Sequence, residues 1–140
     1  LLNISAYFER HRQEYYDRLL AVSQRGQWED WLRFFLHAIS AQARDSVDRM
    51  ARLESLRVRY QQELETGRAA IRMAAVIDFV FSRPILSVNQ LHLGLDIPYM
   101  AAKRYMDRLV EAGVLMETTG YARNRVFVAP QVLRSLERTG

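Results

Sequence analysis

Cysteine is absent from the 140 residues, which excludes disulfides and thiolate metal sites. The chain has only three prolines and six glycines, and the glycines stand apart from one another. Neither a P-loop nor a dinucleotide fingerprint can be built from glycines so spaced. No run of 18 or more apolar residues occurs, so no segment reads as a membrane span. The start carries no signal-peptide pattern. It also lacks Met, opening on Leu1-Leu2-Asn3, which reads as a piece cut from a longer protein. The three histidines, His11, His37 and His92, are scattered and form no His-Glu-x-x-His pair, so each reads as a helix-face residue. Glu29 with Asp30, and Asp45 with Asp48, read as solvated charges or helix-dipole partners. No nucleophile has a matching base. The chain itself is therefore expected to hold no catalytic residue and no metal site.

What is present suits one or two small globular units, with 49% hydrophobic and 26% charged residues. The formal charge of +4 is unevenly placed. Residues 1–66 hold ten Arg and ten acids, whereas residues 67–140 hold nine Arg and Lys103 against six acids. A surplus confined to one half points to a polyanionic partner for that half; a merely solvated surface is the plain alternative.

Residues 4–24 read as one amphipathic helix, with Ile4, Tyr7, Phe8, His11, Tyr15, Leu19 and Val22 on one side, Ser5 as cap and Gly26 as stop. A second helix begins near Trp28, with Trp28, Trp31, Leu32, Phe35, Leu36 and Ile39 as its apolar face. Two helices cannot bury so many rings, so Tyr7, Phe8, Trp28, Trp31, Phe34 and Phe35 are expected to form an interface with a core outside this chain. From Ala41 to about Glu65 a thinner stripe continues as a connecting helix, suited to exposure or to pairing with a second copy. Thr66-Gly67 is the expected boundary between units 1–66 and 67–140.

The second half has a distinct order. A helix over Arg68–Phe81, with Ile71, Ala74, Ala75, Ile77, Val80 and Phe81 mostly inward, stops before Pro84. A short helix from Ser87 to Leu93 ends at Gly94, and another runs from Pro98 to Glu111, with Ala101, Ala102, Tyr105, Leu109 and Val110 as its core side. Two β-like runs, Val114–Thr118 and Arg125–Val128, flank the turn Gly120-Tyr121-Ala122-Arg123-Asn124, and Pro130 opens a last short helix. Helix, turn, helix, hairpin is the order of a winged helix-turn-helix. The expected fold is thus mainly α: a helical hairpin and long connecting helix, then a winged helix-turn-helix with a small two-stranded β-wing. Such a domain offers one helix and one loop to nucleic acid. Tyr99, Lys103, Arg104 and Arg108 on the helix, with Arg123 and Arg125 at the wing, have the reach and polarity for bases or phosphates. Each also has a plainer role, Tyr99 as a core ring and Arg104 or Arg108 as a partner of Asp107 or Glu111.

The run Leu2-Asn3-Ile4-Ser5-Ala6-Tyr7-Phe8-Glu9-Arg10-His11-Arg12-Gln13-Glu14-Tyr15-Tyr16 resembles a segment of Fic-domain proteins just downstream of their catalytic motif. Gly26-Gln27-Trp28-Glu29-Asp30-Trp31-Leu32-Arg33-Phe34-Phe35-Leu36 resembles the segment that follows. Several bacterial members carry a C-terminal winged helix, and Leu109–Leu115 with Asn124–Pro130 resembles that part. The resemblance implies a parent that transfers AMP from ATP, with Mg²⁺, to a hydroxyl of a target protein. The signature His-x-Phe-x-Asp/Glu-Gly-Asn-Gly-Arg-x-x-Arg is absent, so no catalytic residue is carried over. The family's inhibitory motif is approached by Ser5-Ala6-Tyr7-Phe8-Glu9, but Arg10 stands where Gly or Asn is required. The expected function is a DNA-binding or regulatory winged helix on a cytoplasmic AMP-transferase. The alternative is a winged helix serving protein interaction or dimerisation. Duplex DNA, the upstream Fic core and a second copy are the partners to consider, and no membrane.

Overall fold

A computed structural model describes residues 3–64, 70–118, 120 and 125–137. The chain is mainly helical, with a small antiparallel sheet. Its contacts divide it into two compact units, with the division inside one long helix, between Met50 and Ala51. The expected boundary residues Thr66 and Gly67 lie outside the described residues.

The N-terminal unit holds α1 (Ile4–Arg10), α2 (Arg12–Arg25) and the first part of α3 (Trp28–Leu64). The single helix expected over residues 4–24 is two, because His11 leaves helical geometry at φ −109° and ψ 36°. Its backbone still serves both sides: the His11 N–H donates to Tyr7 O at 3.1 Å, and its carbonyl accepts from Tyr15 N at 2.9 Å. The start of α1 is capped by the Asn3 carboxamide, which accepts from Ala6 N at 3.2 Å, and not by Ser5. Gly26 ends α2 in the left-handed conformation at φ 64°, as its lack of Cβ permits. Tyr7, Phe34 and Ala38 form the core here, with Phe8, Tyr15 and Trp31 packed against them. Phe8 stacks on Phe34 at 5.7 Å between ring centroids.

The C-terminal unit runs from Ala51. It comprises the rest of α3, α4 (Ala70–Ser82), β1 (Ile85–Ser87), α5 (Val88–Leu95), α6 (Tyr99–Glu111), β2 (Met116–Glu117), β3 (Val126–Val128) and α7 (Pro130–Leu136). One cluster joins Leu56, Tyr60 and Leu64 of α3 to Met73, Ile77, Leu86, Leu91, Met106, Phe127 and Val132. Each such side chain contributes about 1.5–3 kcal/mol by leaving water. The order from α4 to β3 is a winged helix-turn-helix, but the sheet has three strands and not two. Pro84 ends α4, its carbonyl accepts from Ala129 N at 2.8 Å, and Ile85-Leu86-Ser87 pairs antiparallel with β3. Leu86 opposite Phe127 faces the core, while Ile85 and Met116, both opposite Val128, remain exposed.

Several inward positions shift by a helical step. In α4 the buried residues are Met73, Val76, Ile77 and Val80, and Ile71 is 85% exposed. In α6 they are Ala102, Met106 and Leu109, while Val110 turns outward. Ser87 caps α5 in a full capping box with Gln90. The helix passes through Gly94 and ends at Asp96, whose φ is 50°. Gly94 is therefore no stop; it gives room to Phe79, whose ring a Cβ would overlap.

Candidate nucleic-acid interface

The interface expected from the sequence is built on α6 and the strand pair that follows it. Pro98, with φ −54° and ψ 142°, stands at the N-cap of α6, and its carbonyl accepts from Ala101 N at 2.9 Å and Ala102 N at 3.0 Å. The buried set Ala102, Met106 and Leu109 fixes the rotation of the helix. At the far end Gly113, with φ 73°, turns the chain so that Val114 and Leu115 are buried and β2 can follow.

Tyr99 lies in the first turn, 48% exposed, with its ring edge-to-face against His92 at 6.1 Å. The His92 imidazole is held in turn through Nδ1 on Ile97 O. Arg104 is exposed and makes no ion pair among the described residues. Lys103 is also exposed, but its Nζ lies 2.7 Å from Asp107 Oδ2, so the two present little net charge. Arg108 is exposed as well, and its Nη2 donates to the carbonyl of Leu64 on α3 at 2.9 Å. At the wing, Arg125 Nε lies 3.5 Å from Glu117 Oε1 across the β2–β3 pair. Arg123 lies outside the described residues. Of the six residues, Tyr99, Lys103, Arg104 and Arg108 are exposed on α6, and Arg108 also hydrogen-bonds α3. The partners Asp107 and Glu117 were readable from spacing, at i+4 and across a short hairpin; the Leu64 carbonyl was not. Leu93 on α5 is 67% exposed and Met100, next to Tyr99 in sequence, is 64% exposed, and sequence reading had not singled out either.

In the N-terminal unit the six rings of the expected core interface divide. Tyr7 and Phe34 are buried in the unit itself, Phe8, Trp31 and Phe35 are half-buried, and Trp28 is 60% exposed. Leu32, Leu36, Val47 and Met50 continue the exposed apolar surface of α3.

Electrostatic perturbation is sparse. Arg57 is held charged above the usual guanidinium range, first by hydrogen bonds to Glu54 and then by Asp78 at 2.9 Å. Burial pushes the Tyr60 hydroxyl up, partly opposed by Arg59. Among the described residues, no group of three or more His, Asp or Glu is placed to hold a metal ion. No described helix is long and apolar enough to cross a membrane. The chain matches no protein-family model.

Proposed function

We propose that this chain is the C-terminal part of a Fic-type protein, with its winged helix serving as a duplex-DNA-binding, regulatory module. The parent would transfer AMP from ATP with Mg²⁺, in the cytoplasm, through a signature this chain does not contain. The first segment rests on the resemblance of residues 2–16 and 26–36 to the helices that finish such a core. The exposed Trp28 and its apolar neighbours on α3 support a surface for that core.

The observation that carries the DNA reading is the exposure of Tyr99, Lys103 and Arg104 on α6. Helix-turn-helix proteins place this part of the second helix in the major groove. The test is fluorescence anisotropy with several duplexes across a salt series. With about three phosphate contacts, affinity should fall roughly 40-fold between about 50 and 200 mM salt. Lys103→Ala with Arg104→Ala should weaken every duplex and flatten that slope. Absence of binding at about 50 mM salt, or indifference to both salt and substitution, rejects this reading.

A second reading has its own observation. Leu93 and Met100 are apolar, largely exposed, and flank the junction of α5 and α6 beside Tyr99. Apolar groups there suit a protein partner or a second copy better than a phosphate backbone. Salt-insensitive association that is lost on Leu93→Ser with Met100→Ser would favour it.

A further inference from the structure

A second group of cations in the C-terminal unit lies away from α6. It lies in an open trough of about 700 Å³ between α3 and α7. Arg52, Ser55 and Arg59 line it from α3, one or two helical turns apart; Gln131, Arg134 and Ser135 line it from α7. Arg52 and Arg134 make no ion pair and no side-chain hydrogen bond among the described residues. Arg59 is held in place by three neighbours. It donates from Nη2 to Gln131 Oε1, its guanidinium lies 5.5 Å from the ring centroid of Tyr60, and Glu63 approaches its Nε at 3.9 Å. Among the described residues, one carboxylate, that of Glu63, lies within 4.0 Å of these three guanidinium groups, which line a single concavity.

We propose that this trough is a binding site for a phosphate group. Guanidinium groups lining one concavity repel each other and favour an anion between them. An arginine fork pairs with two oxygens, so a carboxylate is satisfied by one fork. A phosphate offers further oxygens, and arginines from two helices can share them. The hydroxyl of Ser55 supplies a smaller donor on the α3 wall, while that of Ser135 on α7 donates to Gln131 O at 2.8 Å. The shared chemistry is the phosphate, whether free or part of a nucleic-acid backbone. The inference is independent of the reading of α6, since the two surfaces have no residue in common.

Calorimetric titration of the whole chain with sodium pyrophosphate, at about 50 mM salt, tests it. Binding is expected, and Arg52→Gln with Arg134→Gln should weaken it roughly tenfold or more. Arg52→Lys with Arg134→Lys should fall between, keeping charge but losing the fork. Arg72→Gln with Arg83→Gln removes the same charge from outside the trough and should leave binding within about twofold. The melting temperature and circular dichroism of each variant check that it is folded. A duplex titrated in parallel separates the sources. Loss of pyrophosphate binding alone assigns a small phosphorylated ligand, and loss of both assigns a backbone phosphate. Lys103→Ala with Arg104→Ala should leave pyrophosphate binding intact, so the two surfaces fail separately. No pyrophosphate binding, an equal loss in the Arg72/Arg83 control, or equal binding by a glutamate peptide would overturn the proposal.

Discussion

Arg108 of α6 donates a hydrogen bond to the backbone carbonyl of Leu64, the last residue of α3, at 2.9 Å. The final turn of α3 carries no basic residue of its own. The C-terminal carbonyls of a helix lack internal donors and carry the negative end of its dipole. Arg108 therefore ties α6 to α3 through a charged donor.

Arg108→Ala should lower the stability of the C-terminal unit by about 1 kcal/mol, with Arg108→Lys intermediate. Denaturant melts followed by circular dichroism measure this. Duplex affinity at constant salt should change little compared with Arg104→Ala. If Arg108→Ala weakened DNA as much as Arg104→Ala while leaving stability unchanged, the junction role would be wrong.

Gly94 and Phe79 give a second test. Helix propensity alone favours Ala over Gly by about 1 kcal/mol. A Cβ at position 94 would overlap the Phe79 ring, which packs against the core. Displacing such a ring costs about 1–3 kcal/mol, so Gly94→Ala should be net destabilising by roughly 1 kcal/mol. Adding Phe79→Leu should make the alanine less costly than it is alone, and a double-mutant cycle reads that coupling. Purely additive effects would remove the steric explanation.

These cases mark how far the sequence was legible. The helices of the second half were visible because apolar residues recur at helical spacing and Pro84, Pro98 and Gly113 punctuate them. The strand Ile85–Ser87 was not, because three residues after a proline carry no periodicity, and its partner Val126–Val128 lies some forty positions on. Gly94 resembled a helix stop, since its reason for being glycine is a ring on α4. Ile71 looked like core in place of Met73 because α4 is apolar nearly all round, and such a stripe does not fix its own rotation. At the candidate site, the exposed Tyr99 and Arg104 were legible from position on α6. The engagement of Arg108 was not, because its partner is a backbone carbonyl 44 residues away. The trough of Arg52, Arg59 and Arg134 was hidden for the same reason, since α3 and α7 meet only in the folded chain.

Tyr60 gives a prediction in pH. Its side chain is 3% exposed, its hydroxyl makes no hydrogen bond of good geometry among the described residues, and burial raises its pKa against a smaller opposing effect of the nearby Arg59. A raised folded-state value means that the unfolded chain releases the proton first. Stability is thus unaffected by this ionisation below about pH 10, the unfolded value, and falls as pH rises from there through the folded one. Tyr60→Phe should flatten the alkaline fall in stability relative to the parent chain. At neutral pH it should cost nothing, or stabilise by up to about 1 kcal/mol, because it removes a buried hydroxyl that lacks a well-formed hydrogen bond. Urea melts at several pH values measure both effects. A loss of 2 kcal/mol or more at neutral pH would mean that the hydroxyl is hydrogen-bonded in solution.

The pairing of Lys103 with Asp107 sets the last test. At 2.7 Å, and about half-exposed on both sides, the pair contributes only about 0.3–0.5 kcal/mol to the helix. Its larger consequence is to leave α6 with little net charge beside Arg104. Asp107→Asn should therefore cost almost no stability and raise nonspecific duplex affinity by about two- to fivefold at low salt. The salt slope should steepen by up to about one, as one more phosphate contact becomes available to Lys103. Asp107→Asn combined with Lys103→Ala should lose that gain, which separates a direct contact from a general change in net charge. Asp78→Asn, on α4, removes the same negative charge from a residue that pairs with Arg57 and serves as a control. An affinity gain from Asp107→Asn no greater than from Asp78→Asn would place the DNA elsewhere than on α6. No duplex binding by any of these variants would leave the exposed Leu93 and Met100, and hence a protein partner, as the better account of this surface.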